Sequence, residues 1–141
     1  MTSTRVHLND LHFEFKVWNN ELDFYRDEIG VFEHWLHDLK KRTTVERGAI
    51  VEVAPTDSVI TEIGNFRSRL TLEKERAASI KLRIRGCEEG LAAYAKIEGK
   101  EIEYTTFSDH VYLRDEVLGF RNKYHILKKD FFAFIELHLA I

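Results

Sequence analysis

Residues 11–39 read LHFEFKVWNNELDFYRDEIGVFEHWLHDL, and alternating steps of four and three land on Leu11, Phe15, Trp18, Leu22, Tyr25, Ile29, Phe32, Leu36 and Leu39. Every one of these side chains is apolar or aromatic. A repeat near 3.5 residues gathers them along one stripe of a helix, whereas a strand would scatter them over both faces. The stretch therefore predicts a long amphipathic helix whose greasy stripe needs a partner.

The same walk succeeds twice more. Val59, Ile63, Phe66, Leu70, Glu73, Ala77, Ile80, Ile84, Cys87, Leu91 and Tyr94 form a second track, interrupted only by Glu73. His110, Leu113, Val117, Phe120, Tyr124, Leu127, Phe131, Phe134, His138 and Ile141 form a third, with histidines near its ends. Helices are expected at about 9–42, 57–97 and 107–140, rods of about 45–60 Å at the standard rise. Three rods joined by shorter links predict an all-α, up-down-up bundle of three long antiparallel helices with coiled-coil-like, left-handed heptad packing. One domain over residues 1–141 is expected. The outline resembles spectrin-type three-helix folds, a likeness of architecture that implies no activity.

The ends of the rods carry stop and start signals. Asn9 or Thr4 is a candidate cap for the first helix, and Lys40, Lys41 and Arg42 complement its negative pole. Pro55-Thr56-Asp57-Ser58 is a start signal for the second helix, Gly99 a stop, and Thr106 with Asp109, or Ser108, a start for the third. Ile50–Val53 and Ile102–Tyr104 alternate in the manner of short extended segments. In an up-down-up bundle these two links lie at opposite ends, so they are not expected to pair with each other. Gly86 and Gly90, inside the second helix, predict room for a bulky neighbour such as Phe13, Phe15 or Trp18. Gly30 and Gly119 are places where the first and third rods are liable to break.

Composition removes several function classes. The net charge of −3 gives no electrostatic reason to expect nucleic acid. Cys87 is the single cysteine, which excludes an internal disulfide and fits a cytoplasmic setting. Residues 1–10 hold no apolar run of the signal-peptide kind, and the longest such run, Phe131–Ile135, is too short to span a bilayer. The single proline, Pro55, suits a fold with few turns.

Chemistry-bearing constellations are sparse. A di-metal carboxylate bundle needs Glu-x-x-His pairs, and no histidine here has an acid three residues before it. Glu33, His34 and His37 share a helix face but offer too few ligands for a zinc site, so no metal or cofactor is expected. Glu73 falls on the core track, where a charge is costly unless paired. Tyr25, Tyr124 or Lys128 is expected to reach it, and the pair is expected to set the register.

His37-Asp38-Leu39-Lys40 resembles the histidine box of sensor kinases and the phospho-accepting motif of histidine phosphotransfer domains, and His125-Ile126-Leu127-Lys128 echoes it. The resemblance implies His37 or His125 as an exposed phospho-acceptor. Lys41 and Lys129 stand where phosphotransfer domains carry glycine. Tyr25–Ile29 also resembles Leu113–Val117, and the likeness continues from Phe32 to Lys41 and from Phe120 to Lys129, as expected for distant duplicates.

A second apolar stripe exceeds what an internal core needs. It comprises Phe13, Val17, Phe24, Val31 and Trp35 on the first helix and Val111, Leu118, Phe132 and Ile135 on the third. With no catalytic constellation beside it, this surplus predicts a non-catalytic interaction or assembly module. The expected partner is a second copy, as a homodimer, or another helical protein.

Overall fold

The computed structural model describes residues 5–41, 43–46, 49–52, 56–98, 104–106 and 109–139. Three long helices dominate: α1 (Leu8–Lys40), α2 (Asp57–Glu98) and α3 (Asp109–Leu139). Among the described residues four short strands accompany them: β1 (Arg5–His7), β2 (Thr43–Glu46), β3 (Ala49–Glu52) and β4 (Tyr104–Thr106). β2 and β3 make an antiparallel hairpin inside the first link. β4, in the second link, pairs antiparallel with β1, at the start of α1. The two links do not pair with each other, because the chain reverses between them. Each pairs instead with the segment available at its own end of the bundle.

The helix track predicted for α1 is buried throughout, from Leu11 to Leu39. On α2 the buried positions are Ile63, Leu70, Glu73, Ala77, Ile80 and Ile84, flanked by the partly buried Val59, Phe66, Cys87 and Leu91. On α3 they run from His110 to Phe134 and add Ile135. These stripes meet as one core cluster, and the water they exclude is the main force holding the rods together. α2 runs close against both other helices, whereas α1 and α3 meet chiefly through side chains. Large rings fill that wider gap: Tyr25 and Tyr124 lie 4.6 Å apart, and Phe32 and Phe131 4.7 Å.

Local signals account for the ends. Thr56 caps α2: its hydroxyl accepts from the Val59 amide at 3.3 Å, and its carbonyl accepts from Ile60 at 3.0 Å. The Lys41 amide closes α1 by donating to the His37 and Asp38 carbonyls. Asn9 does not cap α1, since Leu8 is already helical and Asn9 lies inside the first turn. Thr106 belongs to β4 and Asp109 is the first residue of α3. Thr4, Arg42, Pro55, Gly99 and Ser108 lie outside the described residues. Gly30 and Gly119 break neither rod.

The glycine pair on α2 corrects an expectation. A methyl group at Gly86 or Gly90 meets nothing within 4 Å. The pair borders an open groove of about 430 Å³ shared with Tyr112 and Leu113 of α3, rather than the rings of α1. With space available and a helical backbone, alanine at each position is expected to add about 0.5–1 kcal/mol by narrowing the unfolded ensemble. A thermal melt of Gly86→Ala/Gly90→Ala checks this, and an unchanged or lowered midpoint would contradict it.

Candidate interaction face

Polar and charged pairs along each seam set the register. Between α1 and α3, Arg114 binds Glu14 through two bonds of 2.8 and 2.9 Å. Arg121 binds Glu21 through two of 2.6 and 2.7 Å, and Lys128 donates to Glu28 at 2.9 Å. Each rung lies seven residues beyond the last on both helices, so α1 and α3 are parallel and stay in step. Between α1 and α2, Asn19 meets Glu88 at 3.5 Å and Lys74 meets Glu33 at 3.4 Å, in antiparallel order. Between α2 and α3, Arg69 meets Asp130 at 3.1 Å and Arg83 meets Glu116, again antiparallel. Partly exposed rungs are each worth about 0.2–1 kcal/mol, so their role is to choose the alignment more than to stabilise it.

The α1–α3 ladder is the best anchored of the three. Glu21 accepts from Tyr25 at 2.8 Å as well as from Arg121. The Arg121 bonds hold the Glu21 carboxyl below its ordinary range, against the opposing effect of burial. Burial, with the Glu21 bond, pushes the Tyr25 phenol up to about 12. Tyr124 donates to Glu28 at 2.6 Å, and its phenol is likewise raised by burial and by that bond. Both tyrosines are therefore neutral donors at physiological pH.

Beside this ladder stand two rows of apolar side chains. Val17, Phe24 and Val31 each follow a ladder glutamate by three residues, which places them on the same side of α1. Leu118 and Phe132 each follow a ladder cation by four, and Val111 precedes Arg114 by three. Trp35 and Ile135 occupy the ladder's next step, so its last rung is apolar. Phe13, Val17, Phe24, Val31, Trp35, Val111 and Leu118 are exposed. Phe132 is half-buried, against Phe32 at 5.4 Å and beneath the Lys128 ammonium. Ile135 is buried and belongs to the core. Val17, Phe24, Val31, Val111, Leu118 and Phe132 thus flank a single ion-pair ladder, with Trp35 and the buried Ile135 at its next step and Phe13 at its margin. Exposed Ile60, Leu72, Leu82, Tyr112, Ile126 and Leu137 are spread over the rest of the surface.

Glu73 is buried as expected, but its partners are not those expected. Its Oε1 accepts from Arg76 of its own helix at 3.1 Å, and its Oε2 has no hydrogen-bond partner. The seam pairs set Tyr25 level with residue 82, about 13 Å along the helix from Glu73. Tyr124 and Lys128 turn to Glu28 instead. A like-charge step explains the carboxylate's position: Arg76 and Lys123 occupy the α2–α3 rung between the two complementary ones, and Glu73 lies among Arg76, Lys123 and Arg69. Arg26 and Lys81 form a similar step on the α1–α2 seam, where Lys81 turns to Asp23. Sequence reasoning missed both steps, although pairing the residues that flank each track would have exposed them.

His37 and His125 are both exposed, His37 in the last turn of α1 and His125 midway along α3, edge-on to Tyr25 at 6.1 Å. His34 lies 3.5 Å from Asp38, and Glu33 is engaged by Lys74. Among the described residues no three of His, Cys, Asp and Glu are grouped to hold a metal ion. No helix among them is long and apolar enough to cross a membrane.

No family model matches the chain, and neither a curated protein nor a solved structure is significantly similar to it.

Proposed function

We propose that this chain is a non-catalytic, coiled-coil-like assembly module that associates with a second copy of itself through the face shared by α1 and α3. The observation that carries this reading is the exposed apolar row of α1 and the partly exposed row of α3 on either side of a closed ion-pair ladder. The ladder satisfies its own charges, so covering it strands no carboxylate, while covering the rows removes large apolar side chains from water. Isologous association is the commonest way for such a surface to be used.

Sedimentation equilibrium at tens of micromolar tests the reading. The wild-type chain is expected to show twice its monomer mass. Phe24→Asp, at the middle of the α1 row, is expected to weaken association about a hundredfold or more, because the charge is desolvated in both copies at once. Phe24 is 58% exposed, so the helical signal by circular dichroism should be retained. Leu82→Asp changes an exposed leucine of α2 away from this face and should leave the mass unchanged. A monomeric wild-type chain would refute the proposal.

A further inference from the structure

The exposed row on α1 has the same pattern read in either direction. From Phe24 it runs seven residues back to Val17 and seven forward to Val31, then four further to Phe13 and four further to Trp35. The order is aromatic, valine, phenylalanine, valine, aromatic. On α3, Leu118 and Phe132 stand seven residues either side of His125. The two centres lie within one residue of the same level of the bundle, since the ladder pairs residues one hundred apart and the Tyr25 and His125 rings are 6.1 Å apart. The Glu21–Arg121 and Glu28–Lys128 rungs straddle that level.

A row that meets an unrelated partner has no reason to be symmetric about its middle. A row that meets itself across a two-fold axis does, because each residue must suit the one at the mirrored position. We propose that two copies dock face to face and antiparallel, about a two-fold axis that lies in the contact plane and crosses α1 and α3 at the level of Phe24 and His125. This rests on the α1–α3 face being the contact between copies and adds its geometry. Phe24 then meets the partner's Phe24, Val17 the partner's Val31, Phe13 the partner's Trp35, and Leu118 the partner's Phe132.

The size of the face agrees. Phe13 to Trp35 spans about 33 Å of helix, and two adjacent helices are about 20 Å wide, so each copy covers roughly 700 Å². A stable dimer of standard size needs about 800 Å² per partner. The other two-fold arrangement, with its axis along the rods, lays the α1 row on the partner's α3 row. It sets the exposed ring of Phe24 against the imidazole of His125, and the symmetry of the α1 row goes unused. Antiparallel pairing also makes the two ends of the dimer alike, each with the β2–β3 hairpin of one copy and the β1–β4 ladder of the other. Whatever binds one end is then bound twice, about 60 Å apart.

Cysteine cross-linking in a Cys87→Ala background tests the geometry, with a bis-maleimide whose reach is about 8–10 Å, well short of the ~21 Å rise between Val17 and Val31. Phe24→Cys is expected to link to itself. Val17→Cys and Val31→Cys should each link poorly alone and at least tenfold better when mixed. Linking of Val17→Cys with Leu118→Cys in its place, in a chain that is dimeric by sedimentation, would overturn the antiparallel arrangement and leave the assembly reading standing. A dimer that links at none of these positions would overturn both the arrangement and the choice of face, and a monomeric chain would remove the assembly itself.

Discussion

Truncating Phe131 to alanine is expected to remove about 3–5 kcal/mol of folding stability, the largest loss from any single ring in the core. Phe131 is fully buried on α3, and its ring joins all three helices. It lies 4.7 Å from Phe32 and stacks at 6.4 Å with Trp35 of α1, and it meets Phe66 of α2 edge-on at 5.7 Å. Removing it forfeits the transfer free energy of the ring and leaves a hole that long rods cannot close without bending. Phe131→Leu keeps most of the volume and should cost no more than about 1.5 kcal/mol. Against a typical total of about 5–15 kcal/mol, the alanine variant loses a large share of its stability. Urea unfolding of all three proteins at one chain concentration measures this, because association would otherwise add to the apparent stability. A loss below about 1 kcal/mol would mean that the three helices do not converge on this ring.

How much of this was legible in the sequence depended on the range of the forces involved. The tracks of α1, α2 and α3 were readable because burial acts on side-chain periodicity, and periodicity is local. The start of α2 was readable in Pro55-Thr56-Asp57-Ser58 for the same reason, since the Thr56 hydroxyl serves an amide three residues away. Register was not readable from the tracks, because sliding a rod by one heptad leaves the apolar stripe intact. The residues beside the stripe carry that information, as Glu14 with Arg114 and Glu21 with Arg121 show. Without it, the tracks alone point Glu73 to Tyr25, Tyr124 or Lys128, whereas Tyr25 lies at a different level and the other two bind Glu28. The glycine pair misled for a related reason: small size signals either a close neighbour or a gap, and only the helix positions decide. The likeness between Tyr25–Ile29 and Leu113–Val117 has no counterpart in the spatial register, which sets Glu14 rather than Arg26 beside Arg114. The exposed rows were legible as a surplus of apolar residues, but that they flank one ladder appears only once the register that pairs α1 and α3 at Glu14–Arg114, Glu21–Arg121 and Glu28–Lys128 is known.

Replacing Glu73 by leucine is expected to stabilise the fold by about 1–3 kcal/mol at neutral pH. The residue is 6% exposed and only one of its carboxylate oxygens has a partner. Burial raises its pKa above the ordinary 4.5 even though Arg76, Lys123 and Arg69 pull it down, so desolvation outweighs the three cations. The sign of the pH dependence follows. A carboxyl whose folded pKa is raised binds its proton more tightly in the folded chain, so its contribution is present below 4.5 and lost as pH rises through the folded value. The gain from leucine should therefore be largest at neutral pH and shrink on acidification toward 4.5. A register role for Glu73 is weakened by the identity of its partner. Arg76 sits on the same helix and travels with it, so this ion pair is equally satisfied in any alignment, whereas the rungs between helices are not. Glu73→Leu should accordingly unfold at a higher denaturant midpoint with an unchanged slope, the mark of a chain that keeps one alignment. A lower midpoint would show that Arg76 and Lys123, left facing each other without their carboxylate, repel by more than its burial costs.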